Sequence, residues 1–118
     1  MPPKNESKLT CEDMILLADS GRCQIVRVGD IASLEVNGNY LSVKKFDGEM
    51  IGGRASLAHC ERRFPPNFFR TGRNTMVNVA HVAKLNMATR NIGLTMKDGT
   101  RVTMSRIQSV LFRKQLLL

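Results

Sequence analysis

Asn67-Phe68-Phe69-Arg70-Thr71-Gly72-Arg73-Asn74-Thr75-Met76-Val77-Asn78 sets three polar donors, Arg70, Arg73 and Asn74, between two apolar pairs, Phe68/Phe69 and Met76/Val77. Strand-like sequence on either side predicts two short strands joined by a polar segment that holds its donors at the surface. A guanidinium beside a carboxamide suits phosphate oxygens and the acceptor edge of guanine. On a basic chain, that combination points to nucleic acid.

The charge distribution sharpens this reading. Residues 1–53 carry six Lys/Arg against eight Asp/Glu, a balance of −2, whereas residues 54–118 carry twelve against two, a balance of +10. Together these make the net +8 of the whole chain. The cations of the second half are mostly Arg, spaced singly within apolar-patterned sequence: Arg54, Arg62, Arg63, Arg70, Arg73, Arg90, Arg101, Arg106 and Arg113. That is the pattern of a folded basic surface rather than of a disordered basic tail. So lopsided a field suits a polyanion better than it suits plain solvation.

Working outward, β signals dominate. Met14-Ile15-Leu16-Leu17-Ala18 and Gln24-Ile25-Val26-Arg27-Val28 flank Asp19-Ser20-Gly21, predicting a hairpin. Gly29-Asp30-Ile31-Ala32 reads as a turn or a single helical turn, and Ser33-Leu34-Glu35-Val36 leads into a two-residue turn at Asn37-Gly38. In Tyr40-Leu41-Ser42-Val43-Lys44, Leu41 and Val43 should point inward. Asp47-Gly48 makes the next turn, before Glu49-Met50-Ile51-Gly52-Gly53. Ser56 can cap a helix from Leu57 that buries Leu57, Cys60 and Phe64 and stops at Pro65-Pro66. Strands follow at residues 68–70, 75–79, 82–87, 92–96 and 101–104, and Ser105 caps a last helix from about Arg106 to Lys114. The Met residues read as core filler, and Leu116-Leu117-Leu118 is expected to pack within the domain. Residues 1–12 are expected to be a flexible polar segment and 13–118 a single domain.

Other classes find little support. Apolar runs are too short to span a bilayer, and Met1-Pro2-Pro3-Lys4 lacks the apolar core of a secretion signal. Cys11, Cys23 and Cys60 are odd in number and far apart, which argues for reduced thiols in a cytoplasm over a disulfide framework or a zinc site. His59 and Cys60, as helical neighbours, point apart and form no dyad. Gly52-Gly53 is too short for a phosphate loop. The reading is therefore a non-enzyme that needs no cofactor and no metal. An RNA-binding β-protein and a protein-interaction module with a basic face remain alternatives, although five Phe and one Tyr make a thin stacking platform.

Several pieces, in this order, resemble the LytTR-type DNA-binding domain of bacterial transcription regulators. They are Asp30-Ile31 leading to Leu34-Glu35-Val36-Asn37-Gly38-Asn39-Tyr40; a helix starting at Ser56-Leu57; Phe69-Arg70 to Val77-Asn78 with His81-Val82; and Lys97-Asp98-Gly99 reaching Ser105-Arg106. The resemblance covers nearly everything from Met14 onward. It implies a mostly β (β-rich α+β) fold: an elongated arrangement of small antiparallel sheets, with a mid-chain and a C-terminal helix, whose loops enter successive major grooves. By position it assigns DNA contacts to Asn39 and Tyr40, to Arg73 and Asn74, and to Ser105 and Arg106. Arg73 and Arg106 are expected to read bases, while Asn74, Ser105 and Ser56 hold phosphate or fix register. Where the family commonly has His just before the equivalent of Arg73, this chain has Gly72, which lacks a donor and frees the backbone.

Arg70 is either a further DNA contact or a brace paired with Glu35 or Asp47. Tyr40 is either a DNA contact or a cross-strand packing partner. Asn78 and His81 are expected to be structural, and Lys44 and Lys45 either add to the phosphate field or protect a strand edge. The partner implied is double-stranded DNA, at repeated sites that a homodimer would occupy. Family members often carry a receiver domain ahead of the DNA-binding part. This chain has no room for one, so control by a separate regulatory protein, or origin as part of a longer chain, are both open.

Overall fold

A computed structural model describes residues 7–118. The decisive stretch forms two short strands, and its paired apolar residues divide between two cores. Phe68 and Met76 belong to one cluster of buried side chains, and Phe69 and Val77 to a second. Successive side chains on a strand point to opposite faces, so each adjacent pair spans the thickness of a sheet buried on both sides. That sheet organises the molecule.

It has five antiparallel strands in the order β5-β4-β3-β7-β6, formed by β3 (Ile31–Asn37), β4 (Tyr40–Lys45), β5 (Met50–Arg54), β6 (Phe68–Arg70) and β7 (Thr75–Asn78). One face is covered by the hairpin of β1 (Met14–Asp19) and β2 (Arg22–Arg27) and by helix α1 (Leu57–Arg63). This side buries Leu17, Val26, Leu34, Val36, Leu41, Val43, Ile51, Cys60 and Phe64. The other face meets a three-stranded sheet of order β10-β9-β8, formed by β8 (Val82–Asn86), β9 (Gly93–Met96) and β10 (Arg101–Thr103), and helix α2 (Arg106–Leu116). Ile92, Leu94, Met96, Met104 and Phe112 fill that side, with Phe69 edge-on to Phe112 at 5.1 Å between ring centroids. The strand-rich, two-helix fold expected from sequence is the one found, with principal extents of 45 × 35 × 27 Å.

Local chemistry explains the joints. Ser20 and Gly21 both take positive φ, the backbone that a tight hairpin turn with right-handed strand twist requires. Ser56 Oγ accepts from His59 N at 3.1 Å and Ser105 Oγ from Gln108 N at 3.2 Å, so both expected caps are made. Asn78 is fully buried and satisfied: its Nδ2 donates to Ile31 O, and its Oδ1 accepts from Ala80 N and from Asn67 Nδ2. His81 Nε2 lies 2.8 Å from Gly29 O. Both residues support the fold.

Several expectations are corrected. The β3–β4 turn is Gly38-Asn39 rather than Asn37-Gly38: Asn37 still pairs with Tyr40, and Gly38 alone takes the positive φ. Met14 and Met50 are exposed, not filler. Leu116, Leu117 and Leu118 lie in solvent, because α2 turns Phe112 inward and carries its C-terminus past the core. Of the segment expected to be flexible, residues 1–6 lie outside the described residues. Lys8 and Leu9 are held: Leu9 N donates to Arg63 O at 2.6 Å, and Lys8 Nζ to the carbonyls of Glu61, Arg62 and Phe64 at the end of α1.

Candidate nucleic-acid interface

Antiparallel order brings the polar segments together. β3 ends, β4 begins, β5 ends, β7 begins and β6 ends at the same edge of the five-stranded sheet, as the pairs Asn37–Tyr40, Tyr40–Arg54, Glu35–Thr75 and Arg70–Met76 require. The β3–β4 turn, the β5–α1 link and the β6–β7 loop therefore form a row. Backbone hydrogen bonds lock it: Ala55 N to Asn39 O at 3.0 Å, Val36 N to Asn74 O at 2.8 Å, and Ser105 N to Thr71 O at 2.9 Å. The last bond ties the start of α2 to the loop that carries Arg73. Arg73 and Arg106 thus rise from two segments joined by a backbone hydrogen bond, rather than from opposite sides of the molecule.

Along this row, the side chains of Asn39, Arg73, Asn74 and Arg106 are exposed and make no hydrogen bond or ion pair among the described residues. Their donors are free for an external partner. Neither helix carries an acidic residue in its first turn, where a carboxylate would ordinarily be favoured. Carboxylates do lie near this end, but each is turned to a donor: Asp19 accepts from Tyr40, Glu35 from Asn37 and Glu61 from Arg70.

The remaining expected residues behave differently. Tyr40 is only half exposed, and its hydroxyl donates to Asp19 Oδ2 at 3.1 Å, which raises the phenol's pKa. The ring lies over Gly52, where any Cβ would overlap the hydroxyl, and at Gly53 a Cβ would come within 3.0 Å of Leu17 Cδ2. The glycine pair is thus a packing device that admits Tyr40 on one face and the β1–β2 hairpin on the other. Ser56 and Ser105 use their oxygens as helix caps, and neither hydroxyl donates a hydrogen bond among the described residues.

Arg70 pairs with neither Glu35 nor Asp47. Its Nε donates to Gly72 O at 2.8 Å and its Nη2 to Arg73 O at 2.9 Å, while Nη1 meets Glu61 Oε1 at 3.3 Å. Lys44 lies away from the row, bound to Asp98 Oδ2 at 2.8 Å and Thr100 Oγ1 at 3.1 Å, and so ties the central sheet to the β9–β10 turn. Lys45 pairs with Glu49. Arg54 was missed. It is exposed at the end of β5 opposite Tyr40 and makes no hydrogen bond or ion pair among the described residues. The signal for it was its place as the last strand residue before the Ser56 cap. No group of three or more His, Cys, Asp or Glu that could hold a metal is found among the described residues, and no helix there is long and apolar enough to cross a membrane.

A β-rich domain that gathers unengaged guanidinium and carboxamide groups along one sheet end belongs to the class of nucleic-acid-binding modules. The model of the LytTr DNA-binding domain matches residues 21–117, and the chain belongs to that family: it is a DNA-binding domain of transcription regulation. A solved structure from Bacillus cereus, described as the LytTr DNA-binding domain of a methyl-accepting/DNA response regulator, is similar to it. The two share 25% identity over 89% of this chain and 97% of that one, with a TM-score of 0.78. The search of curated proteins found no match.

Proposed function

We propose that residues 13–118, braced by Lys8 and Leu9, bind double-stranded DNA sequence-specifically, as the output domain of a bacterial transcription regulator in the cytoplasm. The row at the sheet end enters the major groove. Arg73 and Arg106 read bases through paired guanidinium donors. Asn39, Asn74, Arg54 and the hydroxyls of Ser56 and Ser105 engage phosphate and set register. Tyr40 shapes the turn that presents Asn39. The observation that supports this best is the Ser105 N–Thr71 O bond, which unites the two base-reading segments.

The excess of cations after residue 53 draws the domain to DNA by releasing counterions. One domain of 13.2 kDa covers limited surface, so affinity for a target comes from two copies on a repeated site. The remaining surface is available to a regulatory protein.

The test is selection of bound duplexes from a random pool, followed by competition of the enriched duplex against random duplex, single-stranded RNA and heparin. An enriched motif that resists all three competitors supports sequence-specific duplex binding. Equal displacement by heparin and random duplex sinks it, and preference for RNA moves the domain to another class.

A further inference from the structure

We infer that Arg70 is the positioning residue for Arg73: a guanidinium fork that holds the reading loop by its carbonyls and does not itself touch DNA. This rests on the base-reading role proposed for Arg73. The loop needs such a device. Gly72 removes a side chain from its apex, and glycine gives the backbone more freedom than any other residue. Arg73 projects from the next position with no side-chain bond to steady it among the described residues.

Three contacts close the loop. Thr71 and Thr75 face each other, with N–H to O at 3.0 Å and hydroxyl to hydroxyl at 2.7 Å. Ser105 N holds Thr71 O from outside. The Arg70 fork fixes what these leave free, the carbonyls of Gly72 and Arg73, at 2.8 and 2.9 Å. Two carbonyls on successive residues demand two donors in fixed relative orientation. A planar guanidinium supplies that, and a single ammonium does not.

Glu61 completes the arrangement. It is one of only two acidic residues after residue 53, and it sits on α1 with its carboxylate 3.3 Å from Arg70 Nη1. The ion pair aims the fork at the loop and offsets its charge, which makes Arg70 a poor phosphate ligand compared with the unengaged Arg73, Arg106 and Arg54. Through Glu61, the placement of α1 also sets the placement of the loop. Arg70 is thus basic in the sequence but spent within the fold.

Arg70→Lys and Arg70→Ala separate this role from a phosphate contact and from general bracing. On the selected duplex and on a duplex altered at the base pair read by Arg73, Arg70→Lys should lower discrimination about 3- to 10-fold, while discrimination at the Arg106 base pair stays within about 2-fold. The slope of log K against log salt should be unchanged in both variants. Backbone 15N relaxation without DNA should show order parameters falling at Arg73 and Asn74, with the unfolding midpoint held in Arg70→Lys. Full discrimination in Arg70→Lys with an unchanged loop overturns the inference. So does a slope that drops by about 0.9 in Arg70→Ala and recovers in Arg70→Lys, since that is the signature of one phosphate contact. Should the parent show no sequence preference at all, the proposed function falls, and the relaxation data still decide whether Arg70 holds the loop.

Discussion

Replacing Arg73 by Ala tests the base contact proposed for it with little disturbance of the fold. The side chain is exposed and donates to nothing among the described residues, and the bond from Arg70 Nη2 goes to the Arg73 carbonyl, which Ala retains. The unfolding free energy should therefore change by less than about 0.5 kcal/mol. A guanidinium with two bonds to one guanine supplies about 1–3 kcal/mol of discrimination. At about 1.4 kcal/mol per decade, this is a roughly 5- to 140-fold loss on the preferred duplex. Fluorescence anisotropy with labelled duplexes between about 50 and 200 mM salt gives both affinity and its salt slope. The preferred duplex should lose most, the duplex already altered at that base pair should lose little, and the two should converge. Equal weakening on both, with the slope falling by about 0.9, would make Arg73 a phosphate clamp and refute base reading. No change on either would remove it from the interface.

Further outcomes can be checked on the same protein. Asn78→Ala strands the buried Ile31 carbonyl and removes a partner from the part-buried Ala80 N–H and Asn67 amide, and should cost about 2 kcal/mol by urea titration; a loss below about 1 kcal/mol would show that the site rearranges. Lys44→Met should leave the DNA salt slope untouched, since Lys44 is bound to Asp98. Lys44, followed by the Thr100 N–H and hydroxyl, holds the Asp98 carboxyl well below the usual carboxylate range. A depressed folded pKa contributes stability that is present above the unfolded value near about 3.9 and disappears as pH falls through the lower folded value. Lys44→Met should therefore cost about 0.5 kcal/mol at neutral pH, the size expected of a partly exposed pair, and converge with the parent in acid. Divergence in acid would contradict the pairing. Burial pushes the Cys60 thiol up to about 11, so at pH 8 exposed Cys23 should react with a thiol reagent while Cys60 reacts only on unfolding. Rapid labelling of Cys60 in the folded protein would show that α1 opens readily.

The strands, caps and turns were legible because their causes are local. Alternation at residues 40–44, a serine before each helix and paired apolar residues at 68–69 and 76–77 state their structure within a few positions. Asn78 could be read as structural because a short amide at a strand end satisfies nearby backbone. Arg70 could not be resolved, since its partners are two backbone carbonyls that meet it only after the loop has closed. Tyr40 and Asp19 lie 21 positions apart and meet only when the β1–β2 hairpin folds over β5. Lys44 and Asp98 meet across two different sheets. Opposite charge told which pairs were possible and left unsaid which were realised. Exposure of the three terminal leucines was hidden for a related reason: apolar character does not reveal that a helix outruns the core beneath it.

The row of polar segments has its graduations set by the sheet. Neighbouring strands stand about 4.8 Å apart, so the five-strand edge is roughly 19 Å wide, little more than half of the approximately 34 Å that separates one major groove from the next on the same side of a duplex. A lengthened loop cannot stretch that ruler, because strand pairing fixes its divisions. Reach beyond half a turn must come from what lies past the β6 margin, the start of α2 with Arg106, held to Thr71 just after β6; α1 adds none, since it crosses the sheet face from β5 to bring Glu61 against Arg70 of β6. An operator for this domain should therefore be a compact block, and any longer target should be a tandem of such blocks rather than one extended site.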